Sequence, residues 1–184
     1  MSSGRILVVD DSSIQRRALA LACERLGYQV TEASDSASAL AGLRSAPFDI
    51  VLLDLTMPIV DGAGTLAQIM ADSALSTASV IMTSASDDLE AAARCIEMGA
   101  VDYLVMPFQP ALLQARVEAA MAAKRARDVE RVQFARIADL IAVARRVEDG
   151  ACAAAELDAA ACADDPLASL AQVFRDLVVQ RVRS

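Results

Sequence analysis

The chain has 184 residues, 55% of them hydrophobic but only 3% aromatic, with a net charge of −8 and a pI of about 4.5; this leaves room for one ordinary domain and a smaller appendage. The acidic balance gives no basic footprint for nucleic acid or an anionic membrane, and no stretch approaches the roughly 20 apolar residues of a membrane span. The four cysteines (Cys23, Cys95, Cys152, Cys162) have no metal-like pairing and there is no histidine, so reduced thiols in a cytoplasmic protein are expected, and the direct entry of the N-terminus into a strand argues against a signal peptide.

The first apolar run, Ile6-Leu7-Val8-Val9, stops at Asp10-Asp11. Ser12 or Ser13 can then cap a helix to Leu26, with Ile14, Ala18, Leu19, Ala22 and Leu26 at helical spacing and Gly27 as the stop. Tyr28 to Ala33 alternates apolar and polar, as a strand near a sheet edge would. Asp35-Ser36 opens a helix ended by Pro47, and the run Ile50-Val51-Leu52-Leu53 stops at Asp54. Gly62 and Gly64 begin a helix to about Asp72, and Val80-Ile81-Met82 stops at Thr83-Ser84. Asp87-Asp88 begins a helix that ends at Gly99, where acidic groups suit the dipole. The last strand, Val101 to Val105, runs into Met106-Pro107-Phe108. Continuous apolar runs in the first, third, fourth and fifth strands predict burial on both faces.

From Gln109 no further strand is evident. Leu112 to Val147 has neither Pro nor Gly and predicts a helix of about 40 residues, ~60 Å long. Its middle is polar, but Ile137, Leu140, Ile141, Ala144 and Val147 form an apolar stripe that needs a partner, most simply a second copy of the chain. After Gly150 comes an Ala-rich acidic connector to Asp164-Asp165-Pro166. A final amphipathic helix carries Leu167, Leu170, Val173, Phe174, Leu177, Val178 and Val182.

Five β–α units of this length predict an α/β fold, a doubly wound five-stranded parallel sheet with helices on both faces. The expected division is a domain over residues 1–122 and a helical stalk over 123–184. Ligands of such sheets sit at the carboxyl ends of the strands, near the switch in strand order, and the acidic and hydroxyl stops are there. Two carboxylates about 4 Å apart repel by roughly 4 kcal/mol at an effective dielectric of 20, so the cluster calls for a cation or a shared proton. Hard oxygens suit Mg²⁺.

The joint register of these stops resembles the receiver domain of two-component response regulators, over about residues 4 to 122. Asp54-Leu55-Thr56-Met57-Pro58-Ile59-Val60-Asp61-Gly62 is similar to the family's phosphoacceptor loop, and Ser84-Ala85 to its Thr/Ser-Ala pair. Gly99-Ala100-Val101-Asp102-Tyr103-Leu104 and Pro107-Phe108 complete the likeness. The resemblance implies a flavodoxin-like (βα)5 receiver, a signalling protein rather than an enzyme. In it Asp54 takes a phosphoryl group from a sensor histidine kinase or a histidine phosphotransfer protein. It further implies that Asp10, Asp11, Asp54 and the carbonyl of Thr56 bind Mg²⁺, that Ser84 contacts the phosphoryl, that Tyr103 is the aromatic switch residue, and that Met106-Pro107 is a cis peptide. At one position the chain departs from the pattern: the family has a phosphoryl-contacting lysine where this sequence has Met106. Its only lysine is Lys124, and Arg94 and Arg116 lie on helices that do not obviously face the pocket.

Two readings follow. One is a phosphoacceptor regulator with weakened switching; the other is a pseudo-receiver acting as a phosphorylation-independent dimerisation or interaction module. Hydrolase chemistry lacks a base and a substrate pocket. The tail, residues 136 to 150 and 166 to 177, loosely resembles the paired helices of a HAMP signalling module; the alternative is an ordinary helical hairpin for dimerisation, and either way a homodimer through these helices is expected. No helix-turn-helix with a basic face follows.

Overall fold

The computed structural model describes residues 4–85 and 88–148. In chain order the elements are β1 (Arg5–Val9), α1 (Ser13–Arg25), β2 (Gln29–Ala33), α2 (Ser36–Ser45), β3 (Ile50–Asp54), α3 (Gly62–Ala71), β4 (Ser79–Ser84), α4 (Leu89–Glu97), β5 (Asp102–Val105) and α5 (Pro110–Glu148). The five strands form one parallel sheet in the order β2-β1-β3-β4-β5. The chain winds outward from β1 in both directions, so the switch in strand order lies between β1 and β3.

Local chemistry sets the helix starts. Ser12, Asp35, Asp61 and Asp88 are extended N-cap residues whose side chains accept helix N–H groups; the Asp35 and Asp61 bonds, from Ser38 and Gly64, are both 2.7 Å. Each cap satisfies a donor that the first helical turn leaves orphaned, and the three carboxylates also face the positive end of a helix dipole. Gly27, at φ 88°, takes the left-handed turn that ends α1. Asp87, expected at the start of α4, lies outside the described residues.

Alternation along the strands divides the core in two. Leu7, Val9, Val51, Leu53, Val80 and Met82 face one side of the sheet, where Leu40, Leu66 and Ile69 cover them. Ile6, Val8, Ile50, Leu52, Ile81 and Leu104 face the other, against Leu19, Leu113 and Val117. β1, β3 and β4 are buried on both faces as their apolar runs predict.

Two expectations need correction. β5 is the outer strand beyond β4 and leaves Val105 40% exposed, so an apolar run there does not mean two covered faces. Along α1, Leu19 and Ala22 of the expected set pack toward the sheet together with Ala20 and Cys23, but Ile14 is 82% exposed. Helical spacing in a window with many alanines fits more than one face.

α5 is continuous over 39 residues, close to the length read from the missing Pro and Gly. The first compact unit extends to Arg125, so Lys124, 7% exposed, belongs with the sheet and not with a stalk. Farther along α5, Val129, Val132 and Phe134 are all more than half exposed. The second tail helix and its HAMP-like resemblance lie outside the described residues. Among the described residues no helix is long and apolar enough to cross a membrane.

Gly62 shows how tightly the fold holds the end of β3. Its N–H donates to the Leu55 carbonyl at 2.9 Å, and a Cβ there would lie 2.1 Å from the Asp54 carbonyl oxygen. Backbone cannot yield as a flexible side chain does. Gly62→Ala is therefore expected to destabilise the protein by about 3 kcal/mol, the upper end for overpacking, as read from urea unfolding. A midpoint equal to wild type would show that the loop can shift freely.

Candidate functional site

Asp10 follows the last residue of β1 and Asp54 is the last residue of β3, so the switch in strand order brings them side by side. Asp11 joins them. One carboxylate oxygen from each of the three residues lies within 4.8 Å of the other two. Asp10 and Asp54 are buried, 1% and 7% exposed, whereas Asp11 is exposed.

Asp10 is held firmly. Its Oδ1 accepts the Ser12 N–H at 2.8 Å, its own N–H donates to the Ala33 carbonyl, and Arg16 donates to its carbonyl at 2.6 Å. The Oδ2 atom is buried with no hydrogen-bond partner. An ionised oxygen in that position is costly unless something positive or protonated meets it.

Electrostatics point the same way. Burial, and next the neighbouring Asp10 carboxylate, push Asp54 up to about 6, against the N–H groups of Thr56 and Leu55, which favour its charged form. Asp10 is also raised, first by burial and further by Asp11, while the Ser12 N–H and Arg16 oppose the shift. Three clustered hard carboxylate oxygens, with the Asp10 and Asp54 carboxyls pushed up and the Asp10 Oδ2 buried and unpartnered, fit a divalent cation of the Mg²⁺ type.

The remaining residues singled out from the sequence stand around this cluster. Thr56 is exposed on the loop after β3. Ser84, 3% exposed, ends β4, and its carbonyl accepts the Met106 N–H at 2.7 Å. Tyr103 is 9% exposed and packs in the core on the Leu53 side of the sheet. Met106 packs on the opposite side, against the cluster of Ile6, Leu52 and Leu104, and the Met106-Pro107 bond is cis.

No arginine named from the sequence replaces the missing cation. Arg116 pairs with Asp102, and Arg94 is exposed on α4. The cation that does act on the pocket is Arg16, which sequence reasoning passed over. From α1 it bridges Glu32 at 3.3 Å and the Asp10 carbonyl, so it braces the strand end and leaves the buried carboxylate oxygen uncovered. Its signal was its place on the first turn and a half of the helix after Asp10-Asp11. A second overlooked residue is Thr83, the register partner of Asp54 on β4. Its carbonyl accepts the Leu55 N–H at 2.8 Å, and its buried hydroxyl has no partner.

Residues 6–118, well over half the chain, match the family model described as response regulator receiver domain. The chain belongs to that family. Among curated relatives, the receiver is 39% identical over 116 residues to the transcriptional regulatory protein CseB of Streptomyces coelicolor, covering 63% of this chain and 48% of the relative. It is 35% identical over 115 residues to the transcriptional regulatory protein QseB of Haemophilus influenzae, covering 62% and 51%. The chain thus spans about half the length of the curated relatives it matches. Among solved structures, the chemotaxis response regulator CheY4 of Vibrio cholerae is 27% identical with a TM-score of 0.61, covering 65% of this chain and 99% of that one. A CheY-like receiver domain protein of Methanospirillum hungatei is 25% identical with a TM-score of 0.63, covering 68% and 99%. The five-stranded receiver fold is shared, and response regulators of this family are signalling proteins.

Proposed function

We propose that this receiver accepts a phosphoryl group on Asp54 from a phosphohistidine of a sensor kinase or phosphotransfer protein, with Mg²⁺ held by Asp10, Asp11, Asp54 and the Thr56 carbonyl. The observation that carries the reading is the three-carboxylate cluster, two of its members buried, with the unpartnered Asp10 Oδ2. Mg²⁺, when bound, offsets the negative charge that gathers on the transferred oxygens. Asp54 attacks as its carboxylate; a pKa of about 6 leaves it largely ionised at neutral pH. One Asp54 oxygen forms the bond to phosphorus as the phosphorus–nitrogen bond breaks, and the imidazole nitrogen keeps the electron pair. Ser84 contacts the phosphoryl and Tyr103 relays its presence to the α4–β5 side.

Met106 supplies an apolar side chain where the family's cation stands. A charge-assisted hydrogen bond contributes about 1.5–3 kcal/mol, so its loss weakens the link between phosphorylation and switching by roughly ten- to a hundredfold. The same substitution favours a second reading, a pseudo-receiver that works by binding alone, as a homodimer through α5 and the tail. Intact-mass measurement after incubation with acetyl phosphate and Mg²⁺ separates the two. Phosphotransfer predicts a gain of one phosphoryl group that Asp54→Asn removes; no gain, with no Mg²⁺-dependent spectral change, leaves the binding module. Light scattering at micromolar concentration is expected to give a dimer, and a monomer would count against the tail as its interface.

A further inference from the structure

We propose that Thr83 fills the place left by Met106, its hydroxyl donating the hydrogen bond that steadies the phosphoryl group on Asp54. The inference rests on the phosphoacceptor reading above and names a contact within that site. Thr83 and Asp54 are register partners on adjacent parallel strands, and such partners lie about 4.8 Å apart with side chains leaving the sheet on the same face. That face is fixed by the neighbours. Leu52 and Ile50 precede Asp54 on it, Ile81 precedes Thr83, and Leu104 is the register partner of Thr83 on β5. Met106 packs against the same cluster. Thr83 therefore sits on β4 between the acceptor aspartate on β3 and the end of β5, where a lysine in place of Met106 would have to cross to reach the phosphoryl.

The state of the hydroxyl is the second observation. Thr83 is 1% exposed, and its Oγ1 is buried without any hydrogen-bond partner. A buried hydroxyl is normally paired, and the backbone around it is already used: the Thr83 carbonyl accepts from Leu55. A valine would fit the space and remove the unpaired group. A phosphoryl on Asp54 brings extra acceptor oxygens to this spot, giving the hydroxyl a partner in the modified state that it lacks in the free one. Such a contact acts on the phosphorylated form alone, as a switch requires.

Beryllofluoride with Mg²⁺, a phosphoryl mimic, tests this through its affinity for the full chain, followed by fluorine NMR with a thermal melt on each variant to show that it is folded. Thr83→Val is expected to weaken binding about fivefold, the worth of one neutral hydrogen bond, and Thr83→Ser to stay within about twofold of wild type. In a Met106→Lys background, where a stronger donor is present, Thr83→Val should cost less than about twofold. Binding by folded Thr83→Val equal to wild type would overturn the proposal while leaving Asp54 as acceptor. An equal loss in Thr83→Ser would assign the effect to the methyl group and overturn it too. No adduct on the wild type would sink the phosphoacceptor reading itself, and this contact with it.

Discussion

Asp54→Asn is expected to stabilise the metal-free protein near neutral pH by on the order of 2 kcal/mol while abolishing covalent phosphorylation. Asp54 titrates near 6 in the folded protein against an ordinary value of 3.8, a difference of about 2 units and thus of order 2–3 kcal/mol before screening by solvent at the open side of the pocket. The direction follows from proton counting. Below about pH 4 the carboxyl is protonated in both folded and unfolded chains and costs nothing. Between about 4 and 6 the folded state holds more protons than the unfolded one, so stability falls as pH rises, and above 6 the full penalty applies. Asparagine keeps the shape and removes the charge, so it removes that loss. Chemical denaturation in EDTA at about pH 4 and pH 8 checks this: the mutant should gain mainly at the higher pH. A gain equal at both would mean that packing, and not charge, is responsible. Mg²⁺ should narrow the gap, because it stabilises the wild-type cluster by binding the folded state and has fewer ligands in the mutant.

Met106→Lys is expected to tighten Mg²⁺–beryllofluoride binding by ten- to a hundredfold. Met106 now contributes apolar packing beside Leu104 and Phe108, on the face where Asp54 and Thr83 leave the sheet. A lysine stem can keep part of that packing while its ammonium reaches the carboxylates, and a charge-assisted bond to the phosphoryl mimic is worth about 1.5–3 kcal/mol. The variant should lose at most about 1 kcal/mol of stability with Mg²⁺ present, since a single methionine-sized contact is traded for an ion pair. Unchanged affinity in a folded variant would show that the missing cation does not limit this receiver. The reading of weakened switching would then fail.

The alternation of apolar runs with polar stops already carried the architecture. Parallel strands buried on both faces must be apolar at every position, and their ends must be polar where the backbone meets water, so runs such as Ile50 to Leu53 before Asp54 report both strand and pocket. The acidic cluster was legible for the same reason: in a doubly wound sheet, strand ends on either side of the switch converge, and Asp10, Asp11 and Asp54 are such ends. Caps at Asp35 and Asp61 were likewise local, each decided within three residues of chain. The length of α5 needed only the absence of Pro and Gly.

Other features depend on partners far along the chain, and only the tertiary structure decided them. That β5 is an edge, leaving Val105 exposed, is a fact of strand order, which an apolar run does not encode. Arg16 braces Asp10 because α1 packs beside β1 and β2 and places its guanidinium against Glu32, and a charge on a helix surface does not announce that contact. Thr83 is the sharpest case. In the sequence it is one more hydroxyl beside Ser84, but the pairing of β3 with β4 sets it level with Asp54, and burial leaves its oxygen without an acceptor. Periodicity along a strand names the face a residue takes; which chemistry meets it there depends on the register of the neighbouring strand.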